Sequence, residues 1–318
     1  MTARTVSVPH GLMFHRFHAD DETVASQGSV GAADLSRIIE HVGPSRVLPP
    51  DEWMARLDAG ALGPADTCIT FDDGLRSQMD VALPVLEQFG IRAFWFVYSS
   101  IFDGRPVKGE VYSHVAGRSE NLFDECLDRC PPVLRRLLES AAFAEYADRM
   151  RTEVPFYSTT DVQYRFLRNA EQVRDEFEAL MDQLIAERGF DTEALVRELW
   201  LTEADLRTLV GRGHAVGLHS YDHPHDLGAL SRAAQRDQYE RNYTQLTRAT
   251  GRRPSCMSHP LNSYNEDSLE ILRELDIRCG FRANLLPPAG KPLNPSRLEL
   301  AREDSTHLLP VDSTQEAR

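Results

Sequence analysis

The chain lacks the features that would tie it to a membrane, to nucleic acid or to a disulfide framework. No apolar run in its 318 residues is long enough to cross a bilayer. Its first eight residues, MTARTVSV, hold one arginine, no apolar core and no small-residue cleavage site. That argues against a secretory signal and for a cytoplasmic location. Cationic residues are in deficit, with 35 Lys and Arg against 49 Asp and Glu, a net charge of −14. A phosphate backbone needs a cationic face, so no nucleic-acid partner is expected, although a local basic pocket stays open. The five cysteines, Cys68, Cys126, Cys130, Cys256 and Cys279, are odd in number and lack zinc-knuckle spacing, which reads as reduced thiols. Internal repeats and low-complexity tracts are absent. What remains is 42% hydrophobic and 26% charged, enough to bury a full core and of a length that one α/β barrel can take up.

Strands and helices alternate along most of that length. The apolar runs 6–14, 66–71, 92–98, 214–218, 254–257, 278–281 and 297–300 read as short buried strands. Helical spacing recurs at 33–41, at 77–89 with Gly90 as a stop, and at 203–210, 231–250 and 266–275. Residues 92–98 are apolar almost throughout, as in a parallel strand covered on both faces. This rhythm predicts a parallel sheet, open or closed into a barrel. It is interrupted at about 101–200, where Glu, Arg, Leu and Ala dominate and helical patterns fall at 121–128, 133–150 and 171–187. That stretch is expected to be a helical insertion over the C-terminal mouth of a single domain spanning 1–318. Residues 285–295 hold four prolines and read as a loop, and 311–318 read as a loose tail.

Two constellations can carry chemistry. Thr70-Phe71-Asp72-Asp73-Gly74 places two adjacent carboxylates at the end of a buried strand. Strand C-termini carry the active sites of α/β barrels, and close carboxylates call for a cation or a shared proton. A helix N-cap is the plainer use of such aspartates. His219-Ser220-Tyr221-Asp222-His223-Pro224-His225 places two imidazoles four residues apart after another buried strand. With one carboxylate they can hold a divalent ion and leave positions open for water; a metal-free polar loop is the plainer alternative. Both motifs end predicted parallel strands, and together they supply a full ligand set. Phe94-Trp95-Phe96 reads as barrel core, and Gly28–Gly31 lacks the Lys-Ser/Thr of a phosphate loop.

These two motifs together resemble those of the polysaccharide deacetylase family, the NodB-homology enzymes of carbohydrate esterase family 4. The resemblance extends to Leu12-Met13-Phe14-His15-Arg16 and to Ser258-His259-Pro260-Leu261-Asn262-Ser263-Tyr264-Asn265, and covers about 6–100 and 200–305. It implies a distorted (β/α)7, TIM-like α/β barrel and a metal-dependent hydrolase that removes an N-acyl group, acetyl or formyl, from an amino sugar. Asp73, His219 and His223 are the implied metal ligands, with zinc the default and cobalt, nickel or iron also suited to the donor set. Asp72 is the implied base. The general acid of the family is a histidine. Phe14-His15-Arg16 resembles the N-terminal motif of the permuted branch, with Phe for Tyr, so His15 is favoured, His307 being the competitor. Glu303 or Asp304 is expected to back His15. Ser258-His259-Pro260-Leu261-Asn262 lacks the Arg and Gly of the family segment that orients the base. Arg302 can supply that missing cation, or it forms a surface pair with Asp304.

The expected substrate is small or chain-end, a nucleotide- or lipid-linked precursor of a glycan. Arg76, Arg105, Lys108 and Arg168 are possible phosphate contacts, and Tyr157 and Tyr164 either line a lid or pack the insertion. The rivals are an amidohydrolase acting on a non-sugar C–N bond and a non-catalytic metal-binding barrel.

Overall fold

The structure is a computed structural model that describes residues 8–19, 29–153 and 157–308. The start of the first expected strand, part of the loop after it, Gly28 and the expected loose tail lie outside those residues. The chain divides into two compact units: residues 1–22, 28–106 and 200–318 form the first, and 23–27 with 107–199 the second.

Among its described residues the first unit holds seven strands, all parallel: β1 His10–Phe14, β2 Thr67–Phe71, β3 Phe94–Val97, β4 Ala215–Leu218, β5 Cys256–Ser258, β6 Cys279–Phe281 and β7 Arg302–Asp304. Their order is β6-β5-β4-β3-β2-β1-β7, and segment 297–302 links the two ends. Gly280 N donates to Arg297 O at 2.9 Å, Leu300 N to Gly280 O at 2.9 Å, and Gly11 N to Ala301 O at 3.0 Å. The ring is thereby nearly closed, a (β/α)7 barrel. The last strand differs from expectation. Residues 297–300 meet β6 through a few hydrogen bonds and the isolated Phe281–Leu300 bridge, and regular pairing with β1 begins at Arg302, opposite Gly11.

Strand alternation sorts the side chains. Cys68, Phe94, Phe96, Cys256, Cys279, Phe281 and Leu300 form one buried cluster. Ile69, Phe71, Trp95, Val97 and Leu218 join another with the helices. Phe94, Trp95 and Phe96 are all fully buried, as core residues should be. All five cysteines are free and buried.

Helices read from the sequence recur with sharper ends. Glu203–Gly211 starts at a Thr202–Asp205 capping box, and Arg232–Thr250 starts at Ser231 and stops at left-handed Gly251. The expected helix 77–89 opens as a π-helical turn, Gln78–Ala82, before Leu83–Phe89. The helix Pro50–Asp58 was not anticipated.

The regular elements of the second unit, among its described residues, are all helical. The expected helix 133–150 is two, Pro132–Leu138 and Ala141–Glu153, because the Ser140 hydroxyl accepts from Phe143 N and starts the chain afresh. Tyr164 is buried and stacks on Phe123 at 3.7 Å between centroids, a packing role. Tyr157 lies under Arg165, and Lys108 pairs with Glu178 and Asp182. Among the described residues no helix is long and apolar enough to cross a membrane.

Candidate metal and catalytic site

The two motifs meet at the C-terminal ends of β2 and β4. Cys68, Thr70 and Asp72 alternate toward the barrel interior. The Asp72 N–H continues the strand's ladder by donating to Phe14 O at 3.1 Å. The chain then turns sharply. Asp73 has φ +75° and Gly74 φ +63°, and a Cβ at Gly74 would sit 2.9 Å from Val97 Cγ1, so glycine is required there. Left-handed Asp73 carries its carboxylate away from Asp72 toward the loop after β4.

That loop is shaped for the purpose. His219 is anchored at both ends. Its N–H donates to Asn242 Oδ1 at 3.0 Å, and its Nδ1–H donates to Ser258 O at 3.0 Å. The second bond fixes the tautomer and leaves the Nε2 lone pair facing Asp73. Asn242, buried on the helix Arg232–Thr250, also donates to Val97 O and Ser99 Oγ and so ties the ends of β3 and β4 together. Ser220 (φ +62°) and His223 (φ +55°) are left-handed, and Ser220 Oγ accepts from His223 N. These turns, not a helix, bring the second imidazole back, with its ring edge-on to Tyr98 at 5.8 Å.

Asp73, His219 and His223 each offer a donor atom, all within 4.8 Å of one another. His219 Nε2 lies 3.4 Å and His223 Nε2 3.6 Å from Asp73 Oδ1. Ligands bound ~2.0–2.1 Å from one ion in tetrahedral geometry stand ~3.3 Å apart, so the donor set and its spacing suit a divalent metal. Asp73, Ser220 and His223, all held at positive φ, are strain of the kind that persists where function requires it.

Beside this cluster Asp72 is buried and paired. Arg302 donates to both of its oxygens, Nη1 to Oδ1 and Nη2 to Oδ2, each at 2.7 Å. The remaining guanidinium protons go to Arg282 O, Thr70 Oγ1 and Ser258 Oγ, so all five donors are used. Ser258 in turn donates to Asp72 Oδ2 at 3.2 Å. Burial is the largest influence on the Asp72 carboxyl and would raise it. Arg302, His219 and His15 together outweigh burial and hold it below the ordinary carboxylate value. Asp73 is lowered likewise against burial, by His219, His223 and His15.

Of the remaining expected residues, His15 follows β1 at the level where Asp72 follows β2, and its Nε2 stands 3.9 Å from Asp72 Oδ2 with the side chain 37% exposed. His307 is exposed on the short turn Ser305–His307 after β7. Among the described residues neither Glu303 nor Asp304 backs His15. Glu303 lies 3.6 Å from His10, and Asp304 caps the next turn by accepting from Thr306. Arg302 is no surface partner of Asp304; it is fully buried. Arg76 is taken by Asp205, and Arg168 donates to Asn169. His114 bonds Arg118 within the helical unit.

Ser258, Gln78, Asn242 and Gly11 were not singled out from the sequence as parts of this site. Ser258 stands where the family-like segment lacks its arginine, which was the signal for it. Gly11 faces Arg302 across β1 and β7: a Cβ there would come within 3.1 Å of Arg302 Cγ. Its absence lets the arginine run through the barrel interior.

Known proteins match this arrangement at two levels. The polysaccharide deacetylase family model matches residues 162–280, a span that includes His219 and His223 and excludes Asp72, Asp73 and Arg302. No curated protein sequence matches the chain. Similar solved structures include the Streptococcus pyogenes deacetylase PplD in complex with acetate, at 16% identity and TM-score 0.52, covering 93% of this chain and 91% of that one. IcaB from Ammonifex degensii is similar at 15% identity and TM-score 0.52, with 93% and 91% covered. The BpsB deacetylase domain from Bordetella bronchiseptica is similar at 13% identity and TM-score 0.51, with 96% and 97% covered. At these identities the structures show the shared fold, and the family model matches the part of the chain at residues 162–280.

Proposed function

We propose that the protein is a metal-dependent hydrolase that removes an N-acetyl group from an amino sugar. The observation that carries the reading is the buried Arg302–Asp72 pair set directly against a three-donor cluster of Asp73, His219 and His223. Those three residues would hold one divalent ion, zinc by donor type, which would supply a Lewis acid and an activated water.

The protein groups divide the proton work. Asp72, kept ionised by Arg302, takes a proton from the attacking water through Oδ2, the oxygen that faces His219 and His15. His15 is partly exposed, so it can meet a substrate nitrogen, and it donates the proton that an amine needs to leave. Ser258 and Arg302 hold the carboxylate plane so that little reorganisation is needed as charge develops.

The chain is taken as one barrel domain with the helical unit inserted after β3. Leu261 and Leu286 are the exposed large apolar side chains among the described residues. They follow β5 and β6, at the barrel end that carries Asp72 and His219. A substrate with an apolar portion, such as a small or chain-end lipid-linked amino sugar, fits that rim better than a nucleotide-linked one.

The test is acetate release by the zinc-loaded protein from lipid-linked and nucleotide-linked N-acetylglucosamine, chitooligosaccharides and simple N-acetyl amines. Faster release from the lipid-linked sugar supports the full reading. Preference for non-sugar amides would replace the sugar assignment, and no release from any amide would leave a metal-binding barrel.

A further inference from the structure

One side chain joins the two loops on which this chemistry depends. Gln78 is fully buried on the first residue of the π-helical turn Gln78–Ala82. Its Nε2 donates to two backbone carbonyls, His15 O at 2.8 Å and Asp72 O at 2.5 Å. Both partners can only accept, so the orientation of the amide follows from them. Its Oε1 is buried without a hydrogen-bond partner among the described residues. Leaving a buried acceptor without a partner is costly, so side-chain packing alone does not account for a glutamine here.

The two carbonyls are informative. Asp72 C=O belongs to the planar peptide that links Asp72 to Asp73, and fixing that plane fixes the start of the rotation that gives Asp73 its φ of +75°. His15 C=O belongs to the peptide that follows the His15 side chain. A neighbouring bond adds to the same tie, with Phe17 N donating to Ser77 Oγ at 3.2 Å. The π turn is the local cause of the placement. Turns of this kind interrupt an α-helix for a turn and are frequent at functional sites.

We propose that Gln78 is a positioning residue that holds the backbone of His15 and of Asp72–Asp73 in fixed relation, and thereby aligns acid and base across the scissile bond. The inference rests on the roles given above to His15 and Asp72.

The test uses the 318-residue chain with zinc in excess and compares Gln78→Met with His15→Ala. Each is assayed on an N-acetyl amino sugar and on p-nitrophenyl acetate, whose leaving group needs no proton. Gln78→Met is expected to lower kcat on the amide on the order of tenfold to a hundredfold, the scale of a small misalignment, with KM little changed and the ester much less affected. Unchanged amide kcat in Gln78→Met, or equal losses on amide and ester, overturns the inference. So does a loss confined to KM. His15→Ala separates the two ideas. If it spares the amide relative to the ester, or lowers both equally, the acid assignment fails and takes the inference with it. If it selectively lowers the amide while Gln78→Met does not, only the role of Gln78 falls.

Discussion

Arg302 and Asp72, 230 positions apart in the chain, meet in a bidentate pair at 2.7 Å on both arms inside the barrel. The arginine reaches the carboxylate because three neighbours make room and supply acceptors: Gly11 opposite it, Thr70 below and Ser258 beside. Arg302→Lys keeps a charge but cannot supply two parallel donors to a carboxylate and three more to its surroundings. Losing one such charge-assisted bond is worth ~1.5–3 kcal/mol, so kcat should fall roughly tenfold to a hundredfold with metal content retained. Steady-state kinetics with elemental analysis checks this, and wild-type kcat in the lysine variant would remove Arg302 from the machinery.

Gly11 gives a milder version of the same experiment. A Cβ at position 11 would lie 3.1 Å from Arg302 Cγ and 3.3 Å from both Phe281 Cε1 and Thr70 Cγ2. Gly11→Ala should destabilise the fold by ~1–3 kcal/mol, the usual range for overpacking, and lower activity by displacing Arg302. Urea unfolding and kinetics would be read together. A stable, fully active alanine variant would mean that the arginine relaxes without consequence.

The ligand assignment separates the two adjacent aspartates. Asp73→Asn, His219→Ala and His223→Ala should each bind zinc at least tenfold more weakly. Asp72→Asn should keep zinc and lose about 10²–10⁴ in rate, the usual contribution of a general base. Isothermal titration of the apoprotein with zinc distinguishes them. Loss of zinc in Asp72→Asn with retention in Asp73→Asn would reverse the two roles.

How much of this was readable in the sequence depends on the range of the interaction. The strands from β1 to β6 were legible because each is a short apolar run between turn residues, and the Asp72-Asp73 and His219…His223 motifs were legible because each is local. β7 was misplaced onto 297–300. Those residues are as apolar as a strand, and only pairing with β1 shows that the ladder starts at Arg302. That Arg302 reaches Asp72 depends on an empty position at Gly11, on another strand, which periodicity does not report. Gln78 left no signal at all, since a glutamine in an amphipathic helix is ordinarily a surface residue. The acid expected behind His15 failed for a local reason. Asp304 is drawn into capping the turn that follows it, and Glu303, one residue earlier on a strand, points elsewhere.

A last expectation concerns acid stability and lies away from the candidate site. His214 is buried at the start of β4, and its Nδ1 accepts from two donors, Ala93 N at 3.0 Å and Trp95 Nε1 at 3.2 Å. Burial disfavours the charged ring, and the nearby Arg212 and Arg92 add to that, so its pKa is pushed from 6.5 down to about 4. In the unfolded chain the same ring takes its proton near 6.5. Between those values the unfolded state therefore binds more protons than the native state, and stability must rise with pH. His214 thus contributes fully above pH ~6.5 and loses that contribution as the pH falls toward ~4, a difference of about 3 kcal/mol across the window. Gln in its place keeps an acceptor but cannot titrate. The stability gap between wild type and His214→Gln, measured by urea unfolding, should accordingly narrow or reverse as the pH is lowered from 7 to 4.5. Parallel curves over that range would show that His214 is not the group that senses the acid.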